Sequence, residues 1–186
     1  MITTTLWQIR QHSPCSEGWR TLLSYLGKTG VDDDPLPLVT ILQSNGLDDA
    51  LWCLRTITGY DKEIIRFALA CAQDVRHLMT DQRSLGALDA LARHLESPLS
   101  REELDRVLVA AEWAVGSAAQ AAEAAARAAA GATEAAGAAE AAAEAAGAAA
   151  WAASWAAAGA ATRATEAAAW AAARARQSQI FEEIFG

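Results

Sequence analysis

One short group of residues in the sequence has side chains of the kinds that bind metal ions or take part in catalysis. Cys71, Asp74, His77 and Asp81 follow one another at steps of three or four, which on a helix would gather a thiol, an imidazole and two carboxylates. Such a set could hold a metal ion or activate a nucleophile. Cys71, however, falls on the apolar stripe of the predicted helix, whereas Asp74 and His77 fall beside it toward solvent. We therefore interpret these residues as structural.

A second set offers carboxylate oxygens. Asp32, Asp33 and Asp34 are consecutive, and Asp48 and Asp49 follow not far on; several such oxygens are what Mg²⁺ and Ca²⁺ require. The spacing is not that of a calcium-binding loop, and aspartate is common at helix starts. We expect a solvated loop and two helix N-caps. No metal or cofactor is predicted.

Sequence motifs of enzymes are absent from the chain. There is no GxSxG nucleophile turn, no glycine loop that could cradle a phosphate and no HExxH zinc motif. The sequence therefore predicts a protein that is not an enzyme.

Aromatic residues near the end of the chain are the candidates for binding a partner. Trp151 and Trp155 are four residues apart, so on a helix they form one continuous ridge. One interpretation is that these rings and Trp170 fill a gap between residues 110–186 and residues 1–109. The other is that they anchor a partner, because tryptophan is enriched at binding hot spots. The partner-binding residues predicted in this way are Trp151, Trp155, Trp170, Phe181 and Phe185.

Three glutamates punctuate the same part of the chain. Glu134, Glu140 and Glu144 are spaced for a helix, where glutamate most often serves to solvate an exposed face. The alternative is that they imitate a row of phosphates.

The element that carries these residues is an alanine tract. Within residues 110–176, 41 of 67 residues are alanine, the residue with the highest helix propensity. Most of the other residues recur at a mean spacing close to the 3.6 residues of the α-helical turn. One straight helix of this length would span about 100 Å, so we expect the tract to turn at least once near residues 131–147.

The preceding residues predict six or seven short amphipathic helices. Thr5 with Gln8 and Ser100 with Glu103 have the spacing of capping boxes, which mark helix starts. No stretch alternates apolar and polar residues as a strand would. We predict an all-α fold with a helical segment at 1–109 and an alanine-rich helical segment at 110–186. The latter ends in a short amphipathic helix whose apolar edge is formed by Ile180, Phe181, Ile184 and Phe185.

Charge and targeting signals limit the partners and the compartment. The formal net charge is -8, which disfavours direct binding to nucleic acid. Residues 1–10 lack the basic start and apolar core of a signal peptide. Residues 145–162 are uncharged but contain no Leu, Ile, Val or Phe, so no membrane span is predicted. The three cysteines form no CxxC, which favours free thiols in a reducing cytoplasm.

Two stretches together resemble a known group of proteins. Residues 44–55 read SNGLDDALWCLR, and alanine runs punctuated by Trp and Arg follow later in the chain. This combination resembles small helical proteins of phages and prophages, and immunity proteins of bacterial toxin systems. In size and acidity the chain is also similar to anti-CRISPR proteins.

The resemblance implies a non-enzymatic inhibitor. Such a protein would neutralise a bacterial protein or nucleoprotein complex by direct binding in the cytoplasm of the bacterial host. The alternative is a structural or assembly protein of a phage particle. A homodimer is a further expectation, because alanine faces gain stability only through close neighbours and the apolar edge at 180–185 needs a partner.

Overall fold

The computed structural model describes residues 1–112, 120, 138–159 and 166–186, and helices dominate this part of the chain. The prediction of an all-α fold is confirmed. The described helices are α1 (Leu6–Gln11), α2 (Ser16–Leu26), α3 (Leu38–Asn45), α4 (Leu47–Cys53), α5 (Asp61–Asp74), α6 (Gln82–Glu96), α7 (Arg101–Glu112), α8 (Ala138–Gly159) and α9 (Glu166–Phe185). Two single 3₁₀ turns, Leu54–Thr56 and Arg76–Leu78, follow α4 and α5.

One feature of the fold is extended rather than helical. β1 (Thr3–Thr4) pairs antiparallel with β2 (Leu36–Pro37), and Thr4 lies opposite Leu36. The sequence predicts no strand, so this pair of short strands is an exception to the prediction. Strands of two residues are too short to produce an alternating pattern that could be recognised.

Of the two predicted capping boxes, one forms in full and the other in half. At the start of α7, Ser100 N donates to Glu103 Oε2 at 2.8 Å and Glu103 N donates to Ser100 Oγ at 3.3 Å. At the start of α1, the backbone N–H of Gln8 donates to Thr5 Oγ1 at 3.1 Å, whereas Gln8 Oε1 accepts from Thr4 Oγ1 at 3.2 Å. These bonds satisfy backbone donors that the first helical turn leaves without partners.

A third predicted helix start is misplaced. Asp34 before Pro35 predicts an N-cap, but α3 begins at Leu38, after Pro37. Leu36 and Pro37 belong to β2, and Leu38 N donates to Ile2 O at 3.1 Å. A tertiary contact with β1 therefore overrides the local signal.

The alanine-rich helix α8 lies inside the molecule rather than on its surface. It packs against α4, α5 and α9. Ala146, Ala149 and Ala150 have no exposed surface. Because methyl side chains are short, neighbouring helices can approach closely and gain dispersion contacts along their length. Side chains of both predicted segments share one core, and the division at 109/110 stays a prediction.

The tract does not form one straight helix. α8 continues through Gly147 to Gly159, and α9 begins at Glu166. The two helices run antiparallel, since Trp155 contacts Trp170 whereas Trp151 contacts both Trp170 and Arg174. The described parts of the tract therefore lie side by side in opposite directions. Of the predicted turn at 131–147, residues 131–137 lie outside the described residues.

The structure of the last residues contradicts two predictions. Residues 180–185 do not form a separate short helix but are the last turns of α9. Phe181 and Phe185 are fully buried, and their rings lie 5.8 Å and 6.2 Å from that of Phe67 on α5. The prediction that Phe181 and Phe185 anchor a partner is therefore wrong for this structure. Their apolar surface is already covered by their own chain, which also removes that motive for a homodimer.

Within the described ranges, none of the helices is both long and apolar enough to cross a bilayer.

Candidate functional site

Three tryptophans from two helices form a cluster on the surface, called the aromatic ridge below. The ring centroid of Trp170 on α9 lies 5.2 Å from that of Trp151 and 5.5 Å from that of Trp155 on α8. Trp151 is 45% exposed and Trp155 is 56% exposed. The sequence predicts a ridge of Trp151 and Trp155 and includes Trp170 among the candidate partner-binding residues, and the structure brings the three rings together.

The geometry of α8 explains why these rings face solvent. Residues two apart on a helix lie about 200° apart around its axis, so they point to opposite sides. Ala149 and Ala153, two residues before and after Trp151, are buried. The rings of Trp151 and Trp155 therefore do not fill a gap between the alanine tract and the rest of the chain. They lie on the outer side of a helix whose inner side is alanine.

Arg174 extends the ridge with a fixed positive charge. Its guanidinium carbon lies 5.6 Å from the ring centroid of Trp151, within the range of a cation–π contact. Nη1 donates to Gln177 Oε1 at 3.2 Å, and Nη2 forms an ion pair with Asp48 of α4. Arg174 is not among the site residues that the sequence predicts. Its position four residues after Trp170, on the same face of the helix, is the feature that could have indicated it.

A buried polar network holds α8 and α9 in register beneath the ridge. Gln177 Nε2 donates to Ala150 O at 2.8 Å and to Ser154 Oγ at 3.0 Å. Ser154 Oγ also donates to Ala150 O at 3.0 Å. Gln177 and Ser154 are both buried, so each unmade bond would leave a desolvated polar atom. The network thus favours one sliding position of the two helices, and with it the alignment of the three rings.

The constellation of Cys71, Asp74, His77 and Asp81 does not form a site. Cys71 is buried, and burial, with the nearby Asp74 carboxylate, raises the pKa of its thiol. Asp81 pairs with Arg83 at 2.6 Å. Hydrogen bonds from Arg83 lower the pKa of Asp81 to about 2. His77 is exposed, so the four groups point to different surroundings.

The acidic residues also have local roles. Lys28 Nζ lies 2.5 Å from Asp32 Oδ2 and 2.9 Å from Asp34 Oδ2, and the hydrogen bond from Lys28 lowers the pKa of Asp32. Asp48 and Asp49 lie in the first turn of α4, where the helix dipole favours negative charge. In the part of the chain that the structure describes, no group of three or more His, Cys, Asp or Glu side chains is arranged for a metal ion.

Of the three glutamates considered above, the structure describes the side chain of one. Glu144 is exposed on α8. Glu134 lies outside the described residues, as does the side chain of Glu140. Their two interpretations stay open.

No family model, no curated protein and no solved structure matches this chain. Function must therefore be inferred from the residues of the chain and their geometry.

Proposed function

We propose that this protein is a non-enzymatic inhibitor that binds another protein through the aromatic ridge. Its target would be a bacterial protein or nucleoprotein complex in the cytoplasm of the bacterial host. The observation that carries the proposal is the contact of Trp151, Trp155 and Trp170 on the surface, with two of the rings about half exposed.

The composition of the ridge supports a binding role. Tryptophan and arginine are the residues most enriched among interface hot spots, and the ridge combines three tryptophans with Arg174. Covering exposed indole surface is favourable by about 25 cal/mol per Å². The rings also support one another before a partner arrives, so that less side-chain freedom is lost on binding.

The charge of the protein supports one kind of target. At a net charge of -8, the protein is attracted to positively charged surfaces, and this attraction raises the rate of encounter. Proteins that handle nucleic acid carry such surfaces. The choice of inhibitor over other binding proteins rests on the resemblance to phage proteins and to toxin-immunity proteins.

The proposal is tested by capture from a host lysate. Replacing Trp151 and Trp155 with Ala should weaken capture of the target by roughly 2 kcal/mol or more for each residue that is a hot spot. Trp7→Ala is the matched control, because Trp7 on α1 is also 50% exposed but lies outside the ridge. It should leave capture unchanged. Capture that survives the double substitution with undiminished affinity would refute the role of the ridge.

The same experiment separates the inhibitor from its rival. An inhibitor should retain a defence complex or a toxin and should reduce its activity in proportion to the amount added. A structural or assembly protein of a phage particle should instead retain copies of itself or components of the particle. Helicity and melting temperature of the double variant should stay close to those of the parent, because the rings lie on the outer side of α8.

A further inference from the structure

A cleft on another part of the surface is lined by two tryptophans that are not part of the ridge. It lies between α1, α2, α3 and α4, has a volume of about 80 Å³, and is lined by Trp19 and Trp52 among others. One water molecule needs about 10–15 Å³ of such space, so the cleft has room for a ligand of about five non-hydrogen atoms. We propose that this cleft binds an aliphatic ammonium group.

The walls of the cleft are mostly apolar. Ile9, Leu22, Trp19 and Trp52 contribute aliphatic and aromatic surface. Such walls favour methyl and methylene groups over water. The walls therefore suit the alkyl part of a ligand.

Asp49 supplies the charge that selects the ligand. It is the one charged residue among the described residues that line the cleft. Its Oδ2 accepts a hydrogen bond from Asn45 Nδ2 at 2.7 Å, and the same nitrogen donates to Gly18 O at 2.8 Å. A Cβ at Gly18 would lie 2.6 Å from Asp49 Oδ2, so glycine is what lets this carboxylate sit against α2.

The second carboxylate oxygen remains for a ligand. Asp49 Oδ1 has no hydrogen-bond partner among the described residues, so it can accept one from an ammonium group. Charge-assisted bonds of this kind are about twice as strong as neutral ones. A single carboxylate provides too few oxygens for Mg²⁺ or Ca²⁺, and it repels anions.

Two nearby arginines disfavour a cation in the cleft, so binding of an ammonium group depends on the charge of Asp49. The guanidinium carbon of Arg10 lies 5.6 Å from the ring centroid of Trp19, and that of Arg55 lies 4.6 Å from the ring of Trp52. Neither arginine lines the cleft, yet both raise the local positive potential. The attraction for a cation therefore depends on the carboxylate of Asp49, and removal of its charge should abolish the preference.

Cys15 provides a direct measurement of occupancy. It lines the cleft and is exposed, whereas Cys53 and Cys71 are buried. Burial raises the pKa of Cys53 to about 12 and also raises that of Cys71, so both stay unreactive in the folded protein. A ligand in the cleft should slow alkylation of Cys15 by neutral iodoacetamide.

The experiment compares butylammonium with 1-butanol, the neutral molecule with the same number of non-hydrogen atoms. Butylammonium should protect Cys15 in a saturable manner, with a Kd in the millimolar range expected for so small a ligand. 1-Butanol should bind about tenfold or more weakly, since it lacks the charge-assisted bond. Equal protection by both, or protection by neither, would overturn the proposal.

Variants locate the preference at Asp49. Asp49→Asn keeps an oxygen that can accept from Asn45 but removes the charge, and it should make butylammonium and 1-butanol bind equally. Asp33→Asn changes the net charge equally in an exposed loop and should keep the preference. Trp52→Leu is a second variant that retains apolar volume; it should weaken both ligands to a similar extent, with Trp7→Leu as its control. A preference for butylammonium that survives in Asp49→Asn would refute the assignment.

A third comparison identifies the source of the ammonium group. Lysine blocked at its amino and carboxyl groups presents the same side chain as a lysine within a partner protein. Protection by blocked lysine at least as strong as that by butylammonium assigns the cleft to a partner's side chain. Protection by butylammonium alone assigns it to a free amine. The cleft lies apart from the ridge, so this result and that of the ridge substitutions are independent.

Discussion

Three aromatic side chains form a cluster in a core that otherwise consists mainly of leucine, isoleucine and alanine. Phe67, Phe181 and Phe185 are fully buried and contact one another. Each phenylalanine of this kind buries about 150–250 Å², several times what a methyl side chain can bury. The cluster also joins α5 to the end of α9, where Ile2 N donates to Phe185 O at 3.0 Å.

We therefore expect Phe181→Ala to lower the free energy of unfolding by about 3–5 kcal/mol, the usual cost of such a cavity. Urea denaturation followed by circular dichroism measures it. Phe181→Leu should cost much less, because it keeps most of the volume. A loss below about 1 kcal/mol for the alanine variant would mean that Phe181 is not in the core.

Ser84 presents the opposite case, a polar atom without a partner. Its Oγ is buried on α6 and makes no hydrogen bond within the described part of the molecule. Leaving a buried hydroxyl unsatisfied costs about 1–3 kcal/mol. Ser84→Ala should therefore raise the free energy of unfolding by about 1 kcal/mol, measured by the same urea titration. A destabilised variant would indicate that the hydroxyl is hydrogen-bonded in solution.

His94 makes stability depend on pH. Its Nδ1 accepts a hydrogen bond from Leu99 N at 3.1 Å, which requires the unprotonated nitrogen. Burial, with the charge of Lys62, lowers the pKa of His94 in the folded protein. The unfolded chain then binds a proton more readily, so stability is complete above the ordinary histidine pKa of about 6.5 and falls as the pH drops below it.

The test is the urea midpoint measured from about pH 7.5 to 5.5, a window in which histidines titrate and carboxylates do not. The parent protein should become less stable toward the acid end. His94→Gln should flatten this slope, whereas His77→Gln, which changes an exposed histidine, should not. A parent midpoint that rises toward acid pH would contradict the sign argued here.

At the scale of elements, α8 depends on side chains that are small rather than merely apolar. Ala149 is fully buried and the neighbouring Ala148 is exposed. Leucine at Ala149 would have to push α8 away from the helices around it, which costs about 1–3 kcal/mol for overpacking in a close-packed core. Ala148→Leu should change the free energy of unfolding by less than about 0.5 kcal/mol. Thermal melting of the two variants compares them, and equal melting temperatures would refute the close packing.

The elements also show how far the sequence can predict this fold. The capping exchange of Ser100 with Glu103 involves residues three apart, so local chemistry determines it, and it forms as predicted. The helix N-cap predicted at Asp34 is wrong because the pairing of β2 with β1 depends on residues far away in the sequence. The prediction that Phe181 and Phe185 bind a partner is wrong for a related reason. An apolar helix edge looks the same in sequence whether its own chain or another protein covers it.

The candidate site was partly predictable on the same grounds. Trp151 and Trp155 share a face because they are four residues apart, a local property. That Trp170 joins them depends on the antiparallel contact of α8 with α9, and the cleft at Trp19 and Trp52 depends on the packing of α2 and α4 against α3. No periodicity within a single helix contains that information.

At the scale of the whole molecule, charge and the ridge make opposing contributions to self-association. Copies with a net charge of -8 repel one another at low salt, whereas an exposed aromatic surface favours contact once the charge is screened. At about 0.5 M salt the Debye length is near 4 Å, so charge repulsion no longer prevents a weak dimer from forming.

We expect the protein to remain a monomer of 19.5 kDa in light scattering at low micromolar concentration, even at high salt. The apolar edge that motivated a dimer is buried, and the ridge is proposed to fit a different protein rather than a copy of itself. Self-association at high salt that disappears in the Trp151→Ala, Trp155→Ala double variant would favour an assembly protein over an inhibitor. Self-association that persists in this variant would place the contact elsewhere, and Trp7→Ala, which alters the exposed tryptophan of α1, would be the next variant to measure.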